Sequence, residues 1–195
     1  MPAATTGNGL PDVVVTGIAM TTSVATDAEA TWKALLDGQS GIRQLEDPFI
    51  EQFQLPVRIG GHLLEDFESE LTKVENRRMS YVQKMAAVLG RRAWDDAGAP
   101  EVDTDRLLVS IGTGLGGAEA LVFAYDGMRE RGLKAVSPLS VQMYMPNGPS
   151  AVFGLDRHAK AGVVTPVSAC ASGSEGIAKA WRNIVPVEAA IAACG

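Results

Sequence analysis

Apolar and polar positions alternate between two periods along this chain. Val13-Val14-Val15-Thr16-Gly17-Ile18 is a β-branched run behind Pro11 and reads as a buried strand. Asp27 then caps a helical pattern with Ala28, Trp32, Leu35 and Leu36 on one face and Gly38 as its stop. Val57 to Gly61 is a short strand. One long amphipathic helix is predicted from Thr72 to Ala97, ended by Gly98. Its apolar positions include Met79, Val82, Met85, Val88, Leu89 and Trp94; Arg77, Arg78, Lys84, Arg91 and Arg92 lie on its polar face. Leu107 to Ile111 is the next strand, followed by a glycine-rich loop, Gly112 to Gly117, and a helix from Glu119 to Arg131. Ser137-Pro138 breaks the pattern. Met145-Pro146-Asn147-Gly148-Pro149 is a turn before a short helix, Ser150 to Ala159. Val163 to Ala169 is a strand, Ser172 to Val185 a helix with Ile177, Ala180, Trp181 and Ile184 on one face, and Glu188 to Ala193 a last strand.

Strands alternating with helices imply an α/β layered fold: a mainly parallel, five-stranded sheet with helices on both faces. The 195 residues suffice for one domain, read as residues 12–195 behind a flexible tail of residues 1–11. The tail lacks the basic start and apolar stretch of a signal peptide. No apolar run is long enough to cross a bilayer. A net charge of -6 argues against nucleic acid as a partner, which needs a basic surface, yet leaves room for a local basic patch that receives an acidic protein. Two cysteines, Cys170 and Cys194, make no disulfide framework, so the expected compartment is cytoplasmic.

Cys170 carries the chemistry. A cysteine at a strand-to-helix turn faces the free N–H groups of the helix, whose positive end favours the thiolate, the nucleophilic form. Ala169, Ala171, Ser172 and Gly173 are small enough for a substrate carbonyl to approach the backbone, and the Cys170 N–H is placed to serve in an oxyanion hole. The competing reading of a lone cysteine in an apolar strand is a buried, inert thiol. That reading is assigned to Cys194, which has no helix start behind it.

Other motifs carry less. Gly112, Gly114 and Gly117 satisfy the dinucleotide fingerprint G-x-G-x-x-G, but the region from Lys134 to Leu139 offers no acidic partner for a ribose and is broken by Pro138. Ser174 in Ser172-Gly-Ser174-Glu-Gly176 narrowly misses the hydrolase elbow, and no histidine comes after it in the sequence. No residues show metal-ligand spacing. His62 and His158 are read as surface or structural residues.

Val167-Ser-Ala-Cys170-Ala-Ser-Gly-Ser174, Met145-Pro-Asn147, Gly112-Thr-Gly-Leu-Gly-Gly117, Val13-Val-Val-Thr-Gly17 and Asp37-Gly-Gln-Ser-Gly-Ile42 together resemble the type I/II β-ketoacyl-acyl-carrier-protein synthases, from about Val13 onward. Arg77-Arg-Met-Ser-Tyr81 and Ile59-Gly-Gly-His62 are most similar to the actinobacterial long-chain branch, which extends acyl chains towards mycolic acids. The resemblance implies a thiolase-like fold of two similar halves, this chain being the N-terminal one. It implies that Cys170 takes an acyl chain from acyl-carrier protein, and that malonyl-carrier protein then condenses on it with loss of carbon dioxide. It also implies that Leu115 and Gly116 approach the acyl pocket with Glu119 near it, that Met145, Pro146 and Asn147 lie at a homodimer interface beside the acyl tunnel, and that Arg77, Arg78 and Lys134 dock the carrier protein. No cofactor is implied. The two histidines, lysine and Gly-Phe-Gly-Gly-type loop of the family belong to its C-terminal half, so these residues are expected to be inactive alone and to leave apolar faces bare. The alternative is a non-catalytic subunit that dimerises with a full-length synthase. A coenzyme A-dependent thiolase fits the Ser-Ala-Cys-Ala-Ser-Gly and Met-Pro-Asn strings less well. Pro186-Val187 stands where the family has a Gly-Asp or Gly-Glu turn.

Overall fold

The computed structural model describes residues 10–186 and 188–195; residues 1–9 of the expected tail lie outside them. Its centre is a three-stranded parallel sheet of β3 (Leu107–Ser110), β4 (Gly162–Val164) and β5 (Ile191–Cys194), in the order β4-β3-β5. Val109 pairs with Val163 on one side and with Ala193 on the other. Both crossovers are helical, as parallel pairing demands. All four residues of β3 are buried, because this middle strand is enclosed on every side. The expected five-stranded sheet is thus three-stranded among the described residues: the predicted strand Val57–Gly61 forms over β2 (Ile59–Gly60) but pairs with an unpredicted β1 (Arg43–Gln44) in a separate antiparallel ribbon.

Helices cover this sheet. α8 (Ser172–Ile184) packs on β3 and β5, burying Ala180 against Leu108 and Ala189. α7 (Gly148–Asp156) packs on β3 and β4 and on α4 (Tyr81–Asp96) behind it. That approach is close: a Cβ on Gly90 would lie 2.4 Å from the Phe153 ring. α7 starts two residues before the expected Ser150, because Pro149 fits the first turn of a helix, where its missing N–H costs nothing. A second cluster joins Phe67, Leu71, Ala87 and Val88.

Three expectations are corrected. Val13–Ile18 is not a strand. It runs across the end of α4, where Ile18 N–H donates to Asp96 Oδ2 at 2.8 Å and a Cβ on Gly17 would lie 2.4 Å from Ala93 O. Val14 and Val15 are exposed there, since no neighbouring strand pairs with the run among the described residues. The single helix from Thr72 is two: α3 (Lys73–Arg78) and α4. Thr72 and Glu75 cap α3 reciprocally, at 3.2 and 2.8 Å, and Gln83 Oε1 accepts the Ser80 N–H at 2.9 Å to open a fresh helix. The extended break at Met79 lets its side chain join the Phe67 cluster. Finally, β4 ends at Val164, because Pro166 O is taken by Thr113 N–H outside the sheet.

The apolar stripes also divide. α1 (Ala28–Leu36) forms as expected, with Asp27 accepting the Ala30 N–H at 2.7 Å. Yet it buries Thr31 and Ala34, while Trp32, Leu35 and Leu36 are exposed. α5 (Ala118–Arg131) exposes Leu121, Val122 and Phe123, and α8 exposes Ile177 and Trp181.

Candidate active site

Two strand ends and one helix start meet at Cys170. From β4 the chain passes Thr165 and Pro166, turns through a 3-10 segment at Ala169–Ala171, and enters α8 at Ser172. Cys170 is exposed on this turn and makes no disulfide, immediately before the N-cap Ala171 of a 13-residue helix. Ala169 holds φ at +51°, a left-handed conformation unusual for a residue with a Cβ.

The glycine-rich loop after β3 is built into the same site. Thr113, 7% exposed, binds three segments. Its N–H donates to Pro166 O at 3.1 Å, its carbonyl accepts the Ser172 hydroxyl at 3.1 Å, and its Oγ1 donates to Pro146 O at 3.1 Å. Gly116 has φ +64°, and a Cβ there would lie 2.7 Å from Pro146 Cα. A Cβ on Gly112 would lie 2.2 Å from Ser172 O, and one on Gly117 would lie 2.1 Å from Met143 O. These glycines are small so that main chain of this protein can touch main chain. That disposes of the dinucleotide fingerprint, in which the same space receives a pyrophosphate. Of the six loop positions, Leu115 is exposed and Gly114 faces open space.

Thus the structure brings Gly116, Met145 and Pro146 into one layer, coupled to the Cys170 turn through Thr113 and Ser172. Met145 and Asn147 are exposed at the junction of α6 (Ser140–Tyr144) and α7. A concavity of about 480 Å³ reaches Asn147 together with Ala151, Leu155, His158 and Lys160, away from Cys170. Glu119 is engaged elsewhere: its Oε1 accepts the Tyr81 N–H at 2.8 Å, satisfying a free donor at the start of α4. Arg77 and Arg78 end α3, and Lys134 lies in the 3-10 turn Leu133–Ala135. All three are exposed, and none forms an ion pair among the described residues. Arg91 and Arg92 contrast with them. Arg91 bonds Glu75 at 2.6 Å and Asp156 at 3.1 Å, Arg92 bonds Glu65 at 2.7 Å as well as Glu70, and both guanidinium groups hold their protons more tightly for it. In return, the Arg91 guanidinium and the Thr72 N–H hold the Glu75 carboxyl down at about 2.

His62 faces Asp47 at 3.4 Å and His158 lies in the turn after α7 with φ +55°; neither adjoins the Cys170 turn in sequence or shares its hydrogen bonds. Cys194 ends β5 at the surface, yet enough protein surrounds its sulfur that desolvation raises its thiol above the ordinary range. Among the described residues, no group of three or more His, Cys, Asp or Glu is placed to hold a metal.

The hydrogen-bonding roles of four residues of the site escape a reading of sequence: Thr113, Ser150, Thr165 and Ser172. Ser150 is fully buried. Its hydroxyl accepts from Ile111 N–H at 3.0 Å and Thr165 Oγ1 at 2.7 Å and donates to Val164 O at 2.7 Å, joining the ends of β3 and β4. A serine on a helix otherwise rich in apolar residues, just behind a proline, is the signal that marks it.

Comparison with known proteins identifies the family. Residues 11–195 match the family described as Beta-ketoacyl synthase, N-terminal domain. The 3-oxoacyl-[acyl-carrier-protein] synthase 2 of Mycobacterium leprae is 70% identical over the whole chain, which covers 46% of that protein. The chain therefore spans about half the length of the curated relatives it matches. A crystal structure of a beta-ketoacyl synthase from Burkholderia phymatum superposes with a TM-score of 0.76 at 27% identity, over 90% of this chain and 44% of that one. A type II polyketide ketosynthase, solved with its acyl-carrier protein, shares the fold with a TM-score of 0.75 at 17% identity, over 93% of this chain and 49% of that one. The chain belongs to the β-ketoacyl synthase family, as its N-terminal domain.

Proposed function

We propose that this chain supplies the nucleophile half of a 3-oxoacyl-acyl-carrier-protein synthase, with Cys170 as the acyl acceptor. One observation carries this reading: an exposed cysteine stands at a strand-to-helix turn whose conformation is fixed by the glycine-rich loop and by the first residue of α8. The Cys170 thiolate attacks the thioester carbonyl of an acyl-carrier protein, and the carrier's thiolate leaves, taking up a proton. The acyl chain is then a thioester on Cys170. Malonyl-carrier protein loses carbon dioxide, its carbanion attacks that thioester, and the Cys170 thiolate leaves. The product is a β-ketoacyl-carrier protein two carbons longer. The polarising histidines and lysine of the family are expected outside these residues.

The 70% identity to a mycobacterial synthase 2 supports fatty-acid elongation, with long acyl chains as the substrate class. Leu115, Gly116 and the Met145–Asn147 segment are assigned to the acyl channel. Arg77, Arg78 and Lys134, exposed and free of ion pairs among the described residues, are assigned to an acidic carrier protein; a ketosynthase that shares the fold has been solved with its acyl-carrier protein. The bare apolar side chains of α1, α5 and α8 suit a homodimer and the second half of the synthase. No helix among the described residues is long and apolar enough to cross a membrane, and the cytoplasm is the proposed compartment.

The test is intact-mass spectrometry after incubation with a long-chain acyl-carrier protein. A gain of one acyl group that disappears in Cys170→Ala is the expected result. No gain from a folded chain favours the non-catalytic subunit instead.

A further inference from the structure

The left-handed φ of Ala169, +51°, lies directly before Cys170. A residue with a Cβ stays there only where its surroundings fix it. Two side chains from the first turn of α8 reach back across it. Ser172 Oγ, on a residue 4% exposed, accepts the Ser168 N–H at 2.9 Å; its own proton goes to Ala169 O at 2.8 Å or to Thr113 O at 3.1 Å. The Glu175 carboxylate accepts the Ser168 hydroxyl. Both bonds close on Ser168, so the chain is clamped on the near side of Ala169 while α8 fixes the far side of Cys170.

We infer that Glu175, acting through Ser168, is a positioning residue that holds Cys170 at the start of α8. The inference rests on Cys170 being the acyl acceptor, but the contact itself is independent of any substrate. Ser172 serves the fold as well, being buried against Thr113. Ser168 and Glu175 are both exposed, so the fold does not depend on them and their bond has the turn as its one structural consequence. The bond needs an acceptor at residue 175 rather than a negative charge.

Alkylation by iodoacetamide at fixed pH reads the turn without a carrier protein. The Cys170 thiolate displaces iodide, and Cys194 in the same molecule is the reference. Glu175→Ala and Ser168→Ala are each expected to lower the Cys170-to-Cys194 labelling ratio about fivefold, the loss of one hydrogen bond. The double variant falls no further, and Glu175→Gln, which keeps an acceptor, stays within about twofold of the parent. Melting temperatures stay at the parent value. Removing a nearby carboxylate would by itself favour a thiolate and raise labelling, so a fall seen with Ala and absent with Gln separates geometry from charge. The inference is overturned if Glu175→Gln matches Glu175→Ala, if the ratio does not move, or if the two single effects add. Absence of acyl transfer in the mass experiment, with this labelling pattern intact, would remove the acyl-acceptor reading and leave the clamp standing.

Discussion

Cys170 lies on the turn beyond β4 and Cys194 at the end of β5, the two strands that flank β3, and both are exposed and free. The segment beyond each strand makes them different. After β4 the chain leaves the sheet, bends through Ala169 and begins a helix, so Cys170 lies where helix N–H groups are unpaired. After β5 the ladder simply continues: Gly195 N–H donates to Ser110 O at 3.1 Å, and Gly195 O accepts the Gly112 N–H at 2.6 Å. Cys194 stays in register opposite Ser110, with desolvation holding its proton on. The comparison teaches that exposure does not make a nucleophile. The turn that carries the cysteine does.

The strongest way to break this comparison is to exchange the cysteines' fates. Cys170→Ala should abolish acyl transfer, and Cys194→Ala should leave it at the parent level by intact mass. Next in size is the support beneath the turn. Gly112→Ala places a Cβ 2.2 Å from Ser172 O, a main-chain atom that cannot swing aside, and should cost about 2–3 kcal/mol in urea unfolding. Gly114→Ala, which meets nothing within 4 Å, should be nearly neutral. Ser150→Ala strands the Ile111 N–H and Thr165 hydroxyl inside the protein and should cost about 1–3 kcal/mol by the same measurement. The smallest effect lies farthest from the site. Glu75 has its carboxyl at about 2 against an ordinary 4.5, so it stabilises the fold fully above pH 4.5, and that contribution is lost as the pH falls towards 2. Glu75→Gln should flatten the acid limb of a stability–pH curve and cost about 1 kcal/mol at pH 7, since the pair is partly exposed to water.

The same contrast explains how much was legible in the sequence. The helix cap at Asp27, the strand Leu107–Ser110, the turn at Cys170 and the helix behind it were legible, because each is set by local chemistry. Cys194, read as a buried thiol, is instead exposed at the end of β5, because no strand pairs with the outer edge of β5 among the described residues, although desolvation still raises its thiol. The Val13–Ile18 strand failed because a strand exists only with a neighbour, and a β-branched run does not say whether one is present. The apolar stripe of α1 was visible, but burial went to Thr31 and Ala34, whose small side chains allow close packing. The break at Ser80 was missed because Gln83 competes locally against a periodicity that runs straight through. Ser172 was read only as a small neighbour of Cys170 and Thr113 only as part of the glycine-rich string, because their work is done by a hydrogen bond between residues 59 positions apart.

The most direct test of Cys170 as the acceptor uses the sequence itself. Trypsin cleaves after Lys160, Lys179 and Arg182, placing Cys170 and Cys194 on separate peptides, 161–179 and 183–195. Folded parent protein is incubated with a long-chain acyl-carrier protein, digested, and each peptide weighed. The account predicts the acyl mass on peptide 161–179 and none on 183–195. An acyl mass on 183–195, or one shared equally between the two, would contradict it.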